Sequence, residues 1–259
     1  MDRYKEIADA VVLFQRGNGP ASLKLLQDIH KKFPELPPGE VMFAHLCFAS
    51  NNPKPGQAAL QSAVVSQPDD PEAWNMLADL QLRKGHIAEA EVIFEKAYSV
   101  AKAFKGVERR KTLQLRNSLA GLSRTYEVRR LWEKAETNLT AWQKSDPENP
   151  VVYRRLATAQ LNLEKFEVAR ATLMKLREID PEQLPADVTL GTIYQSIGKA
   201  EEARKIMEAA LKEYGEDFNT RIATARWALN AGDLAGARES ATYAATLDKT
   251  SPLAPTSIS

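Results

Sequence analysis

Apolar and polar residues alternate at helical spacing along most of the chain, in stretches of about a dozen residues separated by short polar or glycine-containing segments. The pattern is clearest in residues 71–104. Its apolar and small positions are Trp74, Leu77, Ala78, Gly85, Ala90, Phe94 and Ala97. Steps of three and four residues predict an amphipathic helix on each side of Gly85, and a glycine suits the turn between them. This segment therefore predicts two antiparallel helices.

The same pattern returns at a period of 34 residues. Stepping outward from residue 71 predicts repeats that start near residues 3, 37, 71, 116, 150, 184 and 218. The register breaks once, where residues 105–115 form an eleven-residue insertion. We expect residues 1–251 to form one array, and residues 252–259 to be a disordered tail or the start of a truncated repeat.

The spacing of these positions resembles the tetratricopeptide repeat (TPR) family. The resemblance implies an all-α fold, a right-handed superhelix of about seven helix-turn-helix repeats. In such an alpha-alpha solenoid each repeat buries its apolar faces against its neighbours. It further implies a non-catalytic scaffold or adaptor that binds a peptide segment of a partner protein in a concave groove.

The resemblance also assigns candidate groove residues, at the places of each first helix that face the groove in the family. These candidates are Asn75, Asp79, Arg83, Asn117, Arg124, Arg154 and Asn162. Asn side chains offer both a donor and an acceptor to a peptide backbone. The chain does not reproduce the Lys and Asn pattern with which some TPR proteins bind chaperone C-termini, so we do not expect that activity.

The insertion is strongly basic. Residues 105–134 contain nine Lys or Arg and three Asp or Glu, and Arg109, Arg110 and Lys111 lie in the insertion itself. Arg pairs well with carboxylates, so an acidic protein or peptide is one expected partner. Two interpretations of the insertion remain open. It forms either a protruding hairpin that contacts the partner or a longer solvated connection whose charge is balanced by neighbouring repeats.

Composition limits the kinds of partner and the localisation that we expect. The net charge of +1 gives no global field toward nucleic acid or an anionic membrane, and no aromatic platform accompanies the basic residues, so nucleic acid is not expected. We find neither a signal peptide nor an apolar run long enough to cross a membrane. The expected localisation is cytoplasmic.

Catalytic chemistry is not predicted. The chain lacks phosphate-binding, nucleophile-elbow and zinc-protease motifs, and its histidines and single cysteine do not have the spacing of a metal site. His45 and Cys47 are two residues apart on one predicted helix, so they point in different directions. We therefore expect no catalytic, cofactor-binding or metal-binding residues.

Self-association is the alternative function. The last predicted helix carries small residues at Ala237, Ser240, Ala241 and Ala244, and no polar capping helix follows it. This surface would suit a homo-oligomer formed through the C-terminal repeat. The chain could equally be the regulatory repeat module of a larger, membrane-associated or secretion-related protein.

Overall fold

The structure, a computed structural model, describes residues 3–247, and all of the regular secondary structure in this range is α-helical. The helices are α1 (Arg3–Gln15), α2 (Gly19–Lys32), α3 (Gly39–Ala49), α4 (Pro53–Ser66), α5 (Pro71–Arg83), α6 (Ile87–Ala103), α7 (Glu108–Val128), α8 (Trp132–Ser145), α9 (Pro150–Asn162), α10 (Phe166–Ile179), α11 (Ala186–Ser196), α12 (Ala200–Tyr214), α13 (Phe218–Asn230) and α14 (Leu234–Leu247). They form seven consecutive helical hairpins, as the sequence predicts.

Helices α5 and α9 each begin with a side chain that caps the helix N-terminus. Asp70 precedes α5, and its carboxylate accepts a hydrogen bond from the backbone N–H of Glu72 at 3.0 Å. Asn149 caps α9 in the same way. In both helices a proline occupies the first position, where its missing N–H costs nothing. The pairs Asp70-Pro71 and Asn149-Pro150 are therefore true helix starts.

Each hairpin turns on one residue with left-handed backbone conformation. These residues are Gly17, Asn51, Gly85, Arg130, Glu164, Gly198 and Gly232. Successive ones are 34 residues apart along the chain, except for Gly85 and Arg130, which are 45 apart. The eleven extra residues therefore lie between the turn of the third hairpin and that of the fourth.

The chain divides into two compact units, residues 1–146 and 147–259. Within the first unit, Leu26 and Ile29 of α2 pack with Phe43 and Cys47 of α3. A neighbouring cluster joins α3, α4 and α5 through residues that include Val41 and Leu60. Cys47 is fully buried, and burial raises the pKa of its thiol, so it is a core residue.

The second unit has its own core. Tyr153 and Ala157 of α9 pack with Leu173 and Leu176 of α10. Met207 and Val188 form the centre of the α11–α12 hairpin. In α14, Ser240 and Ala244 are buried, so part of the small-residue surface that we assigned to self-association is used inside the last hairpin. The predicted tail, residues 252–259, lies outside the described residues.

Helices α2 and α3 approach each other very closely. Gly39, the first residue of α3, sits against the backbone of α2, where an added Cβ would lie 2.4 Å from the backbone nitrogen of Gln27. No side chain can be accommodated at that distance without moving one helix. Gly39 thereby fixes how α3 packs on α2.

Most of the insertion extends a helix. Residues 104–107 connect α6 to α7, and from Glu108 the chain is helical, so α7 reaches 21 residues. Helix α6 is longer as well, with 17 residues against 14 in α4 and in α8. The insertion is therefore neither a separate hairpin nor a long irregular loop.

Candidate functional site

Three first helices of the first unit, α3, α5 and α7, are joined by a cluster of charged side chains. At its centre, Glu72 accepts a hydrogen bond from His45 Nε2 at 3.0 Å and another from Arg110 Nη2 at 3.0 Å. Arg110 Nη2 also donates to Asp70 at 2.8 Å. The Arg110 guanidinium additionally lies over the Phe104 ring, 5.3 Å from its centroid. This cluster attaches the first turn of α7 to the start of α5.

Glu72 stays ionised although it is largely buried. Burial alone would raise the pKa of its carboxyl group, but the hydrogen bonds from His45 and Arg110 and their positive charge outweigh that effect and lower the pKa. A carboxylate in this position stabilises the fold only in its charged form. The cluster therefore makes stability depend on pH.

We expect Glu72→Gln to lower the free energy of unfolding by about 2 kcal/mol at pH 7, the scale of hydrogen bonds to a charged group. The folded-state pKa is below the unfolded one, so the carboxylate stabilises above the unfolded value of about 4.3. That contribution disappears as the pH falls through the folded-state pKa. Urea unfolding of both proteins between pH 7 and 3 should show the difference shrinking with acidity.

The exposed Glu108 of α7 is the control for this measurement. Glu108→Gln should change stability by less than about 0.5 kcal/mol across the same pH range. An equal loss of stability at pH 7 and pH 3 for Glu72→Gln would contradict the charge-based account.

A second polar cluster joins α5 to α7 further along both helices. Asn75 Nδ2 donates to Gln114 Oε1 at 2.9 Å and to the Gln114 carbonyl at 3.0 Å. The Ser118 hydroxyl donates to Asn75 Oδ1 at 2.8 Å. All three residues are buried. Arg110, near the start of α7, contacts Asp70, just before the start of α5, and Ser118, further along α7, contacts Asn75, further along α5. The two helices therefore run parallel.

These clusters involve two residues that the sequence predicts to contact a partner, Asn75 and Arg110. Asn75 is only 5% exposed, because the inserted part of α7 covers it. The Arg110 side chain is 15% exposed and is held by two carboxylates. Both residues serve contacts within the chain, and we do not assign them to a partner.

One exposed stripe of α7 is left uncovered in the first unit. Its residues are Arg109, Leu113, Asn117, Arg124 and Val128. At 100° per residue they fall within about a third of the helix circumference. Leu113 and Val128 are 52% and 56% exposed. Neither Arg109 nor Arg124, both exposed, forms a side-chain hydrogen bond or ion pair within residues 3–247.

Other basic residues of this region are occupied. Arg116 pairs with Asp146 at 3.3 Å and donates to the Ser145 carbonyl. Arg129, at the end of α7, forms an ion pair with Glu91 of α6. The surplus of basic residues in the sequence is thus partly balanced by structural pairs. Arg109, Arg124 and the half-buried Lys111 form no ion pair within residues 3–247, so their positive charges can attract a partner.

Two predicted groove residues of α5 are paired with each other. Arg83 Nε lies 2.7 Å from Asp79 Oδ2, in an exposed pair one helical turn apart. Such surface pairs are weak, typically below about 1 kcal/mol. They exchange readily for contacts with a binding partner, so Asp79 and Arg83 are accessible to one.

The remaining two predicted groove residues belong to the second unit, on α9. Arg154 and Asn162 are exposed and lie on one face of the helix, with Thr158 between them. The Asn162 amide donates to the Thr158 carbonyl at 2.8 Å. The structure therefore divides the predicted groove residues into one group on α5 and α7 and another on α9.

Sequence reasoning missed several residues of this surface. Glu72 occupies a groove-facing place of its repeat, and this place could have identified it. Leu113 and Val128 could have been found from their spacing of four residues from Asn117 and Arg124. Gln114 and Ser118 carried no such signal, because their role depends on a partner helix about 40 residues earlier.

The structure also bears on whether the chain crosses a membrane and whether it binds a metal ion. None of the helices in residues 3–247 combines the length and the apolar character needed to cross a membrane. The same residues contain no group of three or more His, Cys, Asp or Glu side chains arranged to hold a metal ion.

Comparison with known proteins gives a family match. A tetratricopeptide repeat model matches residues 41–105 and 188–252, which together make up half of the chain. No curated protein sequence matches the chain significantly.

Several solved structures share the fold. The assembly chaperone of RpL4 superposes with a TM-score of 0.55 at 16% identity, covering 93% of this chain and 100% of that one. A tetratricopeptide repeat protein from Parabacteroides merdae has a TM-score of 0.55 at 15% identity, covering 78% and 75%. PilW, a type IV pilus biogenesis factor, has a TM-score of 0.51 at 16% identity, covering 82% and 94%. At such identities the likeness concerns the fold alone.

Proposed function

Since the chain belongs to the tetratricopeptide repeat family, whose members bind proteins or peptides and are generally non-catalytic, we propose that it is a non-catalytic scaffold that holds a segment of a partner protein on its first helices. Fold alone does not choose a partner. The proposal rests on the exposed stripe of α7, Arg109 to Val128, and on the exposed pair Asp79 and Arg83 of α5 in the same unit.

The chemistry of the stripe favours an acidic segment that also carries apolar side chains. Arg109 and Arg124, which form no ion pair within residues 3–247, supply bidentate donors for carboxylates, and Leu113 and Val128 supply exposed apolar surface on the same helix face. The amide of Asn117 can donate to and accept from a peptide backbone.

The size of the stripe sets the length of the segment. From Arg109 to Val128 the helix rises about 29 Å at 1.5 Å per residue. An extended chain covers that distance with about nine residues at 3.3 Å each. We therefore infer a linear segment of about nine residues as the minimal ligand.

Arg124→Glu is expected to weaken partner binding by about tenfold or more, because it replaces an attraction to carboxylates with repulsion. Affinity capture from the native host with mass spectrometry identifies the partner, and overlapping synthetic peptides of that partner then define the segment. Dissociation constants for that peptide compare the wild type with the variant.

Lys144→Glu is the matched control, since Lys144 is an exposed residue of α8 outside the stripe and undergoes the same change of charge. Arg154→Glu tests whether the segment also uses the second unit. Equal binding by wild type and Arg124→Glu would show that the partner does not use α7.

A further inference from the structure

The first unit also contains a crevice, formed by residues that do not belong to the α7 stripe. It is a crevice of about 900 Å³ between α2 and α4, with α3 beneath them. Its apolar lining residues are Phe14, Pro20, Leu23, Phe43, Pro55, Ala58 and Ala59. Crevices of a few hundred to about 1,000 Å³ with apolar walls are the usual form of ligand sites.

One charged side chain, Glu40, lines this crevice. Glu40 is 8% exposed, and one carboxylate oxygen accepts a hydrogen bond from Gln27 Nε2 at 2.7 Å. Every other polar side chain of the lining is a neutral Gln, Ser or Asn. Among the side chains that the structure describes, no Lys, Arg or His pairs with Glu40.

A buried carboxylate with only a neutral partner is unusual, because removing its charge from water is costly unless a cation or several donors compensate. Glu40 lies in the first turn of α3. There the positive end of the helix dipole supplies part of the compensation for the buried charge. The crevice therefore presents a negative charge on an apolar floor, with room above it.

From this charge and shape we propose that the crevice binds a segment of a partner protein that inserts one Lys or Arg side chain between apolar neighbours. The ammonium or guanidinium group donates to the Glu40 carboxylate. The aliphatic part of the side chain lies against Leu23 and Phe43, as long basic side chains commonly do on apolar surface. Flanking apolar residues of the segment contact the proline and alanine positions of the walls.

This site and the α7 stripe differ in both residues and charge. The stripe offers cations to an acidic segment, whereas the crevice offers a carboxylate to a basic one. Binding at the crevice is therefore independent of the proposed function, and either can fail without the other.

The test uses the full chain and an array of random twelve-residue peptides. Wild-type protein is expected to select peptides with one Lys or Arg flanked by apolar residues. Glu40→Gln should bind the selected peptides about tenfold or more weakly, because it removes the charge and keeps the shape and the hydrogen bond to Gln27. Equal thermal unfolding of variant and wild type shows that the fold is kept.

A second pair of variants tests the location. Ala58→Trp fills the crevice from an exposed position of its wall and should abolish binding of the selected peptides. Gln61→Trp adds the same side chain at an exposed position of α4 that does not line the crevice, and should leave binding unchanged. Selection of no peptides, selection without a basic residue, or binding insensitive to Glu40→Gln or Ala58→Trp overturns the proposal.

Discussion

Replacing Arg110 with methionine is expected to lower the free energy of unfolding by about 3 kcal/mol. Asp70 and Glu72, both of which Arg110 holds, are 9% and 14% exposed. Methionine keeps much of the volume and removes the charge, so two buried carboxylates lose their shared cation. Breaking a buried pair in this way typically costs about 3–5 kcal/mol, much more than an exposed pair is worth.

The loss should be concentrated where α7 meets α5. Urea unfolding followed by circular dichroism measures the total change. Hydrogen exchange adds a local measure, because the first turns of α7 are expected to exchange faster in Arg110→Met while the helices of the second unit keep their protection.

Arg109→Met is the control, one residue away on the same helix turn. Arg109 is exposed and unpaired within the described residues, so its replacement should change stability by no more than about 0.5 kcal/mol. Equal effects of the two substitutions would show that the charge cluster does not hold α7 in place.

Gly39→Ala is expected to destabilise the protein by about 2–3 kcal/mol, the typical cost of forcing extra volume into a packed interior. The added methyl group would lie 2.4 Å from the backbone nitrogen of Gln27 and 2.6 Å from its Cα. Backbone atoms cannot rotate away, so α2 and α3 must separate. Thermal or urea unfolding measures the loss.

Gly19→Ala makes the matching change at the first residue of α2. There the new Cβ meets only the Phe43 ring, at an ordinary contact distance of 3.5 Å. We expect a cost below about 1 kcal/mol, which arises from the restriction that Pro20 places on a preceding residue with a Cβ and not from packing between helices. If Gly39→Ala were tolerated as well as Gly19→Ala, the close approach of α2 and α3 would not be a real constraint.

The helical hairpins could be predicted from the sequence because everything that defines them is local. Apolar spacing and a turn residue lie within 34 residues of one another, and this arrangement recurs seven times, with side-chain N-caps at the starts of α5, α9 and α13. The prediction of an all-α fold in the tetratricopeptide repeat family is confirmed.

The role of the insertion could not be predicted in the same way. Its basic residues look equivalent in sequence, yet Arg109 is exposed and Arg110 is held by acids 38 and 40 residues earlier. Asn75 looked like a groove residue because its place in the repeat faces the groove in the family. The added turns of α7 bring Gln114 and Ser118 onto it, and this contact between distant segments has no local signature.

The single left-handed residue in each hairpin also determines where the chain tolerates changes of length. One residue added or lost beside such a turn would rotate the second helix by about 100° and move its buried face into solvent. The eleven residues added between the turns at Gly85 and Arg130 lengthen α6 and α7 to 17 and 21 residues, at the ends of these helices that lie away from the two turns, so the buried faces beside the turns keep their positions. Length variation without loss of packing is therefore expected at the junctions between hairpins, and the insertion between α6 and α7 lies at such a junction.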